Sequence, residues 1–177
     1  SVSMLAGDPI LMDGCSVLSR GQQLDRLAPA TKEVHTELLA LCRGTFALVK
    51  YNSIDRSLSL ATDAVGLRSI YYVVQDEFLV FATTLRVLEA IPEIRKKLSV
   101  LGMAELSTFS FPLAERTPYD GLNVLRECQL LTASSSGVDL RSYYDWTVPE
   151  ASPSNSAESA VQLYGSFQEA VQIRARG

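Results

Sequence analysis

The fold is decided by residues 44–88, which read GTFALVKYNSIDRSLSLATDAVGLRSIYYVVQDEFLVFATTLRVL. This stretch contains short apolar segments rich in β-branched and aromatic residues, and turn-forming residues separate them. The segments predict four strands, at 46–51, 57–63, 69–74 and 78–83. We expect these strands to form an antiparallel meander. Because the first strand is apolar on both faces, we expect it to lie between two layers.

The composition is that of one globular domain with a short extension. The chain has 177 residues, of which 47% are apolar, and this suffices for a sizeable core. Its formal charge of −4 and pI near 5.0 provide no basic field for a nucleic acid or an anionic membrane. No apolar run reaches the length of about 18 residues that suggests a membrane span, and no signal peptide pattern opens the sequence. We therefore expect a cytoplasmic protein without nucleic acid or membrane partners.

The cysteine and histidine content argues against several kinds of active site. Cys15, Cys42 and Cys128 are odd in number, far apart and outside any C-x-x-C pattern, so neither a disulfide framework nor a zinc site is expected. His35 is the single histidine, which argues against a Ser-His-Asp triad or a histidine-rich metal site. His35 and Cys42 lie two turns apart on one predicted helix, so about 10 Å separates them and they cannot act as a pair. We predict no metal ligands.

Helical spacing of apolar residues predicts helices at 29–43, 84–93 and 98–109. Thr31 is the predicted cap of the first helix, and Pro92 ends the second. Their predicted buried faces are Val34, Leu38, Leu41 and Cys42; Leu85, Leu88 and Ile91; and Leu98, Leu101, Met103 and Leu106. Further along, QLLTA and VDLRSYY predict a hairpin across residues 134–137, and Trp146 is expected to cap the edge of the core.

The order of short motifs in this sequence resembles the glutaminase domain of the asparagine synthetase family. The motifs are G-x-F-A, then L-x-L-A-x-D-x-x-G-x-x-x-x-Y-Y, then F-A-[ST]-x-L, and a closing stretch at 115–146 that ends in Tyr-Asp-Trp. They comprise Gly44, Phe46, Ala47, Leu58, Leu60, Ala61, Asp63, Gly66, Tyr71, Tyr72, Phe81, Ala82, Thr83, Leu85, Thr117, Gly121, Leu122, Leu125, Tyr144 and Trp146. The resemblance implies a class II glutamine amidotransferase domain with the N-terminal-nucleophile fold. That fold is α+β, a four-layer αββα sandwich of two mainly antiparallel sheets.

The resemblance assigns the remnant of a glutamine pocket to Ala6, Gly7, Asp8 and Thr31. In the family an Asn-Gly-Glu motif ends a strand, and the Asn side chain and Gly amide form an oxyanion hole. Here Ala6-Gly7-Asp8 stands in its place, before Pro9, and we expect the strand to run into a turn there. Alanine offers no donor, and losing one such donor costs on the order of 100–1,000-fold in rate. Thr31 takes the place of an aspartate that contacts the amine of glutamine, and a threonine cannot neutralise an ammonium group.

The nucleophile of the family is a cysteine at the mature N-terminus, well before the Asn-Gly-Glu strand. This sequence starts inside that strand, so we expect the N-terminal part of the domain to be absent from it. Ser1 could in principle be an N-terminal nucleophile, but it stands too close to Gly7 to match the family. The resemblance therefore implies no catalytic residue in this chain.

The resemblance also implies a domain organisation. Residues 1–146 would be the glutaminase-like domain, 147–156 a linker, and 157–177 the first helix of a synthetase domain that binds ATP and Mg²⁺ outside this chain. The expected partners are that synthetase domain and a small-molecule or peptide carboxylate, with a homodimer as a further possibility. The whole enzyme would form an amide bond, as β-lactam synthetases and lasso-peptide cyclases do. The alternatives are a working glutamine-hydrolysing asparagine synthetase and a non-catalytic interaction module.

Overall fold

A computed structural model describes residues 1–14, 16–29, 36–75, 78–146 and 155–175. The strands are β1 (Val2–Ile10), β2 (Met12–Asp13), β3 (Ser16–Val17), β4 (Arg43–Asn52), β5 (Ser57–Thr62), β6 (Tyr71–Gln75), β7 (Phe78–Ala82), β8 (Lys97–Leu98), β9 (Tyr119–Asp120), β10 (Leu122–Val124), β11 (Gln129–Ser134) and β12 (Gly137–Ser142). The helices are α1 (Arg20–Leu27), α2 (Glu37–Leu41), α3 (Leu85–Glu89), α4 (Val100–Phe109) and α5 (Ser156–Ala175). The chain separates into two compact units, Ser1–Asp145 and Trp146–Gly177.

The first unit contains two main sheets, and both are antiparallel. One has five strands in the order β1-β4-β5-β11-β12, and the other has three in the order β10-β6-β7. The four strands predicted from residues 44–88 are confirmed, but the prediction of one meander is wrong. β4 and β5 pair in the large sheet, whereas β6 and β7 pair in the small one. Because these strands are apolar on both faces, stacking them in two sheets buries more apolar surface than one open sheet would.

Three apolar clusters define four layers, which confirms the predicted αββα sandwich. The first lies between the large sheet and helices α1 and α2, the second lies between the two sheets, and the third lies between the small sheet and α3. The two neighbours Phe46 and Ala47 of β4 belong to the first and second cluster respectively. β4 is therefore covered on both faces, as its sequence predicted.

The first strand does not end where the sequence predicted a turn. β1 continues through Gly7, Asp8 and Pro9, which pair with residues of β4. Gly, Asp and Pro are common turn residues, but pairing with β4 overrides that local preference. Proline is tolerated because β1 is an edge strand of the large sheet.

The helical predictions before β4 are partly wrong. α2 covers only Glu37–Leu41 of the predicted helix, and residues 30–35, which include Thr31, Val34 and His35, lie outside the described residues. Leu39 is the buried residue of α2, whereas Leu41 is 68% exposed and Cys42 is extended. The sequence analysis missed α1, although a capping box between Ser19 and Gln22 marks its start.

The later predictions have mixed outcomes. α3 packs its predicted face into the third cluster, and β11 and β12 form the predicted hairpin. Trp146 does not cap the core, because it is 59% exposed. In the second unit, Asn155 caps α5 by accepting a hydrogen bond from the Ala157 amide at 3.2 Å.

The orientation of α4 is the reverse of the predicted one. Its leucines and Met103 are exposed, and its buried residues are Gly102 and Glu105. Glu105 accepts hydrogen bonds from Nε and Nη2 of Arg116, and from the Leu113 amide at 2.9 Å. This two-pronged pair ties α4 to the segment that leads to β9.

We expect the Glu105–Arg116 ion pair to make the stability of the fold depend on pH in the acidic range. The hydrogen bond from Arg116 is the main cause that lowers the pKa of Glu105 below its usual value of 4.5. A carboxyl group whose pKa is lower in the folded state stabilises the fold fully above its unfolded pKa, and this contribution is lost as the pH falls below about 4.5. The urea midpoint of Glu105→Gln should therefore lie below that of the wild type at about pH 7, and the difference should shrink at about pH 3.

The control is Glu127→Gln, which removes the ion pair of Glu127 with Arg126, a pair that is at least 40% exposed on both sides. An exposed pair contributes little, so this midpoint should stay close to that of the wild type at both pH values. A Glu105→Gln effect of equal size at the two pH values would contradict the assignment.

Candidate functional site

The buried carboxylate of Asp63 organises one end of the sandwich. Oδ2 accepts hydrogen bonds from the amides of Phe46 at 3.2 Å and Arg68 at 3.1 Å, and Oδ1 accepts from Val65 at 3.0 Å and Leu67 at 3.3 Å. Asp63 is completely buried. These four contacts are all to backbone amides, one of β4 and three of the loop between the sheets, so the role of Asp63 is structural.

Backbone bonds extend this node to the turn before β11. The Cys128 amide donates to the Asp63 carbonyl at 3.0 Å, and the Leu125 amide donates to the Ile70 carbonyl at 2.8 Å. Gly66 has φ of +67°, and a Cβ there would lie 3.2 Å from the Glu127 amide nitrogen. The loop at 63–70 and the turn at 125–128 are thus locked together.

Two glycines shape the part of β1 that carries the predicted pocket remnant. Gly7 of β1 has φ of +95° and Gly44 of β4 has φ of +87°. A Cβ on Gly7 would collide with the Thr45 carbonyl oxygen, and one on Gly44 would collide with the Asp8 carbonyl oxygen. Only glycine permits β1 and β4 to approach this closely with this backbone.

Arg20, the first residue of α1, lies against the outer edge of β1 at the same residues. Its Nη1 donates to the Gly7 carbonyl at 2.9 Å and its Nη2 donates to the Leu5 carbonyl at 2.7 Å. The planar guanidinium thus satisfies two acceptors of an edge strand at once. The sequence analysis did not identify Arg20.

The structure brings three of the four predicted pocket residues together and does not describe the fourth. Ala6 and Asp8 are exposed on one face of β1, with Gly7 between them, and Thr31 lies outside the described residues. Ala6 pairs with Ala47, so two methyl groups stand side by side on this face. Neither of these side chains can donate a hydrogen bond to an oxyanion.

The described thiols do not have the properties of a nucleophile. Cys42 is buried, and burial is the main cause that raises the pKa of its thiol to about 11. A thiol with this pKa is protonated at neutral pH and is a poor nucleophile. Cys128 is also buried, and Cys15 lies outside the described residues. Ser1 precedes the extended β1 and is separated from Gly7 by about 20 Å of strand.

Two open clefts lie in the first unit. The larger, about 590 Å³, is lined by the loop at 65–71, the segment at 111–118 and the turn at 124–127. The smaller, about 530 Å³, lies at the turns that join β4 to β5 and β11 to β12, beside the described ends of β6 and β7. Neither contains a cysteine or histidine among its described lining residues. Within the described ranges, no group of three or more His, Cys, Asp or Glu could hold a metal ion.

The two stacked antiparallel sheets between helices form the four-layer αββα sandwich that the resemblance to a glutaminase domain implied. A family model described as "Glutamine amidotransferase domain" matches residues 25–144. The chain belongs to this family, which confirms the resemblance drawn from the motifs.

The chain is also related to a curated asparagine synthetase. It is 24% identical over 165 residues to asparagine synthetase [glutamine-hydrolyzing] 3 of Bacillus subtilis (strain 168), and the match covers 86% of this chain and 26% of the relative. The chain thus spans about a quarter of the length of that relative. Among solved structures it is similar to glutamine phosphoribosylpyrophosphate amidotransferase from B. subtilis in complex with ADP and GMP. This similarity has 12% identity and a TM-score of 0.45, and covers 82% of this chain and 30% of the other.

No helix within the described ranges combines the length and the apolar character that crossing a membrane requires.

We expect Asp63→Asn to destabilise the fold strongly. The amide NH₂ group of asparagine would face two of the four backbone N–H groups from which the carboxylate now accepts, and unsatisfied buried donors cost on the order of 1–3 kcal/mol. The measurement is the free energy of unfolding in urea. The matched control is Asp55→Asn, because Asp55 also accepts from a turn amide, that of Ser57 at 3.1 Å, but in an exposed site. Equal losses for the two variants would contradict the role of Asp63.

We expect Gly7→Ala to destabilise the pairing of β1 with β4. An alanine at positive φ costs on the order of 1–3 kcal/mol, and the collision with the Thr45 carbonyl adds to this cost. Gly21→Ala is the control, because Gly21 lies in α1 with no atom within 4 Å of an added Cβ, and alanine favours helix there. Thermal unfolding should show a lower Tm for the first variant and an equal or higher one for the second.

Proposed function

We propose that this chain is the glutaminase-like domain of a larger, ATP-dependent, amide-forming enzyme, and that its glutaminase centre has become a scaffold. The observation that carries the proposal is Ala6. By the motif resemblance it stands where the family has an asparagine donor, and Gly7 beside it has a φ of +95°. An alanine there offers no side-chain donor that could stabilise an oxyanion.

The described thiols support the same proposal. A glutaminase of this class needs an activated thiolate, and burial keeps the Cys42 thiol protonated at neutral pH. Cys128 belongs to the turn at 125–128, and its thiol is buried, so a substrate cannot reach it. A scaffold needs neither group to react.

The synthetase half would supply the chemistry. We propose that it uses ATP and Mg²⁺ to activate a small-molecule or peptide carboxylate in the cytoplasm. The attacking nitrogen would then be an amine of the substrate, so that no glutamine is consumed. The length of the B. subtilis relative, of which this chain spans 26%, leaves ample room for such a half.

A working glutaminase is the second candidate. The B. subtilis relative is named as a glutamine-hydrolysing asparagine synthetase, and that protein is 24% identical to this chain. In this case a cysteine before residue 1 would be the nucleophile, and a group other than Ala6 would have to stabilise the oxyanion.

The deciding experiment measures ammonia released from glutamine by the full-length parent protein in the presence of ATP and Mg²⁺. We expect no release above that of a heat-inactivated sample, because the donor at position 6 is absent. The B. subtilis relative serves as the positive control. Glutamine-dependent ammonia release that alkylation of an N-terminal cysteine abolishes would overturn the scaffold proposal and establish the second candidate.

A further inference from the structure

Helix α4 presents its apolar side chains to solvent. The exposed fractions of Val100, Leu101, Met103, Leu106 and Phe109 lie between 37% and 87%. The one charged residue of the helix, Glu105, is buried. A surface helix normally has the opposite arrangement, with apolar residues inward and charges outward.

Two specific contacts fix α4 in this orientation. Gly102 lies so close to the Thr117 carbonyl that any side chain at position 102 would collide with it. Three residues further on, Glu105 forms its two-pronged ion pair with Arg116. These contacts hold Gly102 and Glu105 on the buried side of α4. The apolar side chains of the helix therefore face solvent because of specific contacts inside the domain.

The apolar surface continues beyond the helix. Phe111 is 60% exposed, and it lines the cleft of about 590 Å³ together with Leu113. Val65, on the loop that Asp63 holds, lines the same cleft. At about half exposure, each side chain of this size presents on the order of 100 Å². Exposed apolar side chains that cluster in this way are typical of interaction sites.

We propose that the outward face of α4 and the adjoining Phe111 form the docking surface for the synthetase half of the parent enzyme. This inference rests on the proposed function. We infer the synthetase half as the partner because the matched relative is a single polypeptide, of which this chain matches 26%. A partner that is covalently linked to the domain is present at high effective concentration. The absence of outward charge on α4 fits a permanent, apolar interface better than a transient one.

The test compares the labelling rate of an introduced thiol in the 177-residue chain and in the full-length parent. Leu101→Cys places a thiol on the α4 face, and Ile54→Cys places one on the turn between β4 and β5, where Ile54 is 92% exposed. Both are made with Cys15→Ser, and the remaining Cys42 and Cys128 are buried.

With a maleimide reagent, the Leu101→Cys variant should react about tenfold or more slowly in the parent than in the short chain, because docking would cover its thiol. The Ile54→Cys variant is the control, and its thiol should react equally fast in both proteins.

Hydrogen exchange on the unsubstituted proteins gives the same comparison without a variant, because docking should slow exchange of the α4 amides in the parent alone. Equal rates in both proteins, for the thiol introduced at position 101 and for the α4 amides, would overturn the proposal. Protection that already occurs in the short chain and rises with its concentration would also overturn it, in favour of a second copy as the occupant.

An amide-forming assay on the same parent preparation keeps the two proposals apart. Unprotected α4 in a preparation that forms the amide bond with ATP refutes docking at this face and leaves the proposed function intact. Protected α4 in a preparation that does not use ATP supports docking of the remaining polypeptide and refutes the proposed chemistry.

Discussion

The hydrogen bonds of the Asp63 carboxylate are the constraint on which the sandwich depends. This one buried group accepts from β4 of the large sheet and from the loop that carries the chain to the small sheet. Its backbone also receives the Cys128 amide, so three separate segments converge on it. A buried charge is costly unless several donors satisfy it, and here four amides do. The crossover between the sheets is therefore fixed by polar contacts, while the apolar clusters supply the bulk of the burial.

The sequence predicted the strands of this region well but not their partners. Short apolar runs rich in β-branched and aromatic residues identify each strand in residues 44–88, because that signal is local. Whether β5 pairs next with β6 depends on where the loop after Asp63 leads, and that is set by amides that no periodicity reveals. The family resemblance supplied the two-sheet architecture that the local patterns left open. It did so through the order and spacing of all the motifs together, and the contacts now explain the structural roles of two of their residues, Asp63 and Gly66.

The segment that carries the predicted pocket remnant has a different backbone conformation from the predicted one. The motif match put Ala6 and Gly7 at a strand end, and the turn preference of the residues that follow hid the fact that β1 continues to Ile10. The role of Arg20 could not be predicted from the sequence. Its partners are backbone carbonyls, and a contact with the backbone does not require a particular residue type at any spacing. The reversed orientation of α4 was missed for a related reason. Predicting a buried face assumes that apolar residues point inward, and the close approach of Gly102 and the ion pair of Glu105 overrule this assumption.

In β1, the residue that the fold requires and the residue that it leaves free to vary are neighbours, at positions 7 and 6. Gly7 and Gly44 are required by the backbone, because any side chain there would collide with the facing strand. The side chain at position 6 is exposed and makes no demand on the packing, so an alanine there costs the fold little. A donor at that position would serve only a reaction. The residue at position 6 can therefore change while every contact that maintains the sandwich stays in place.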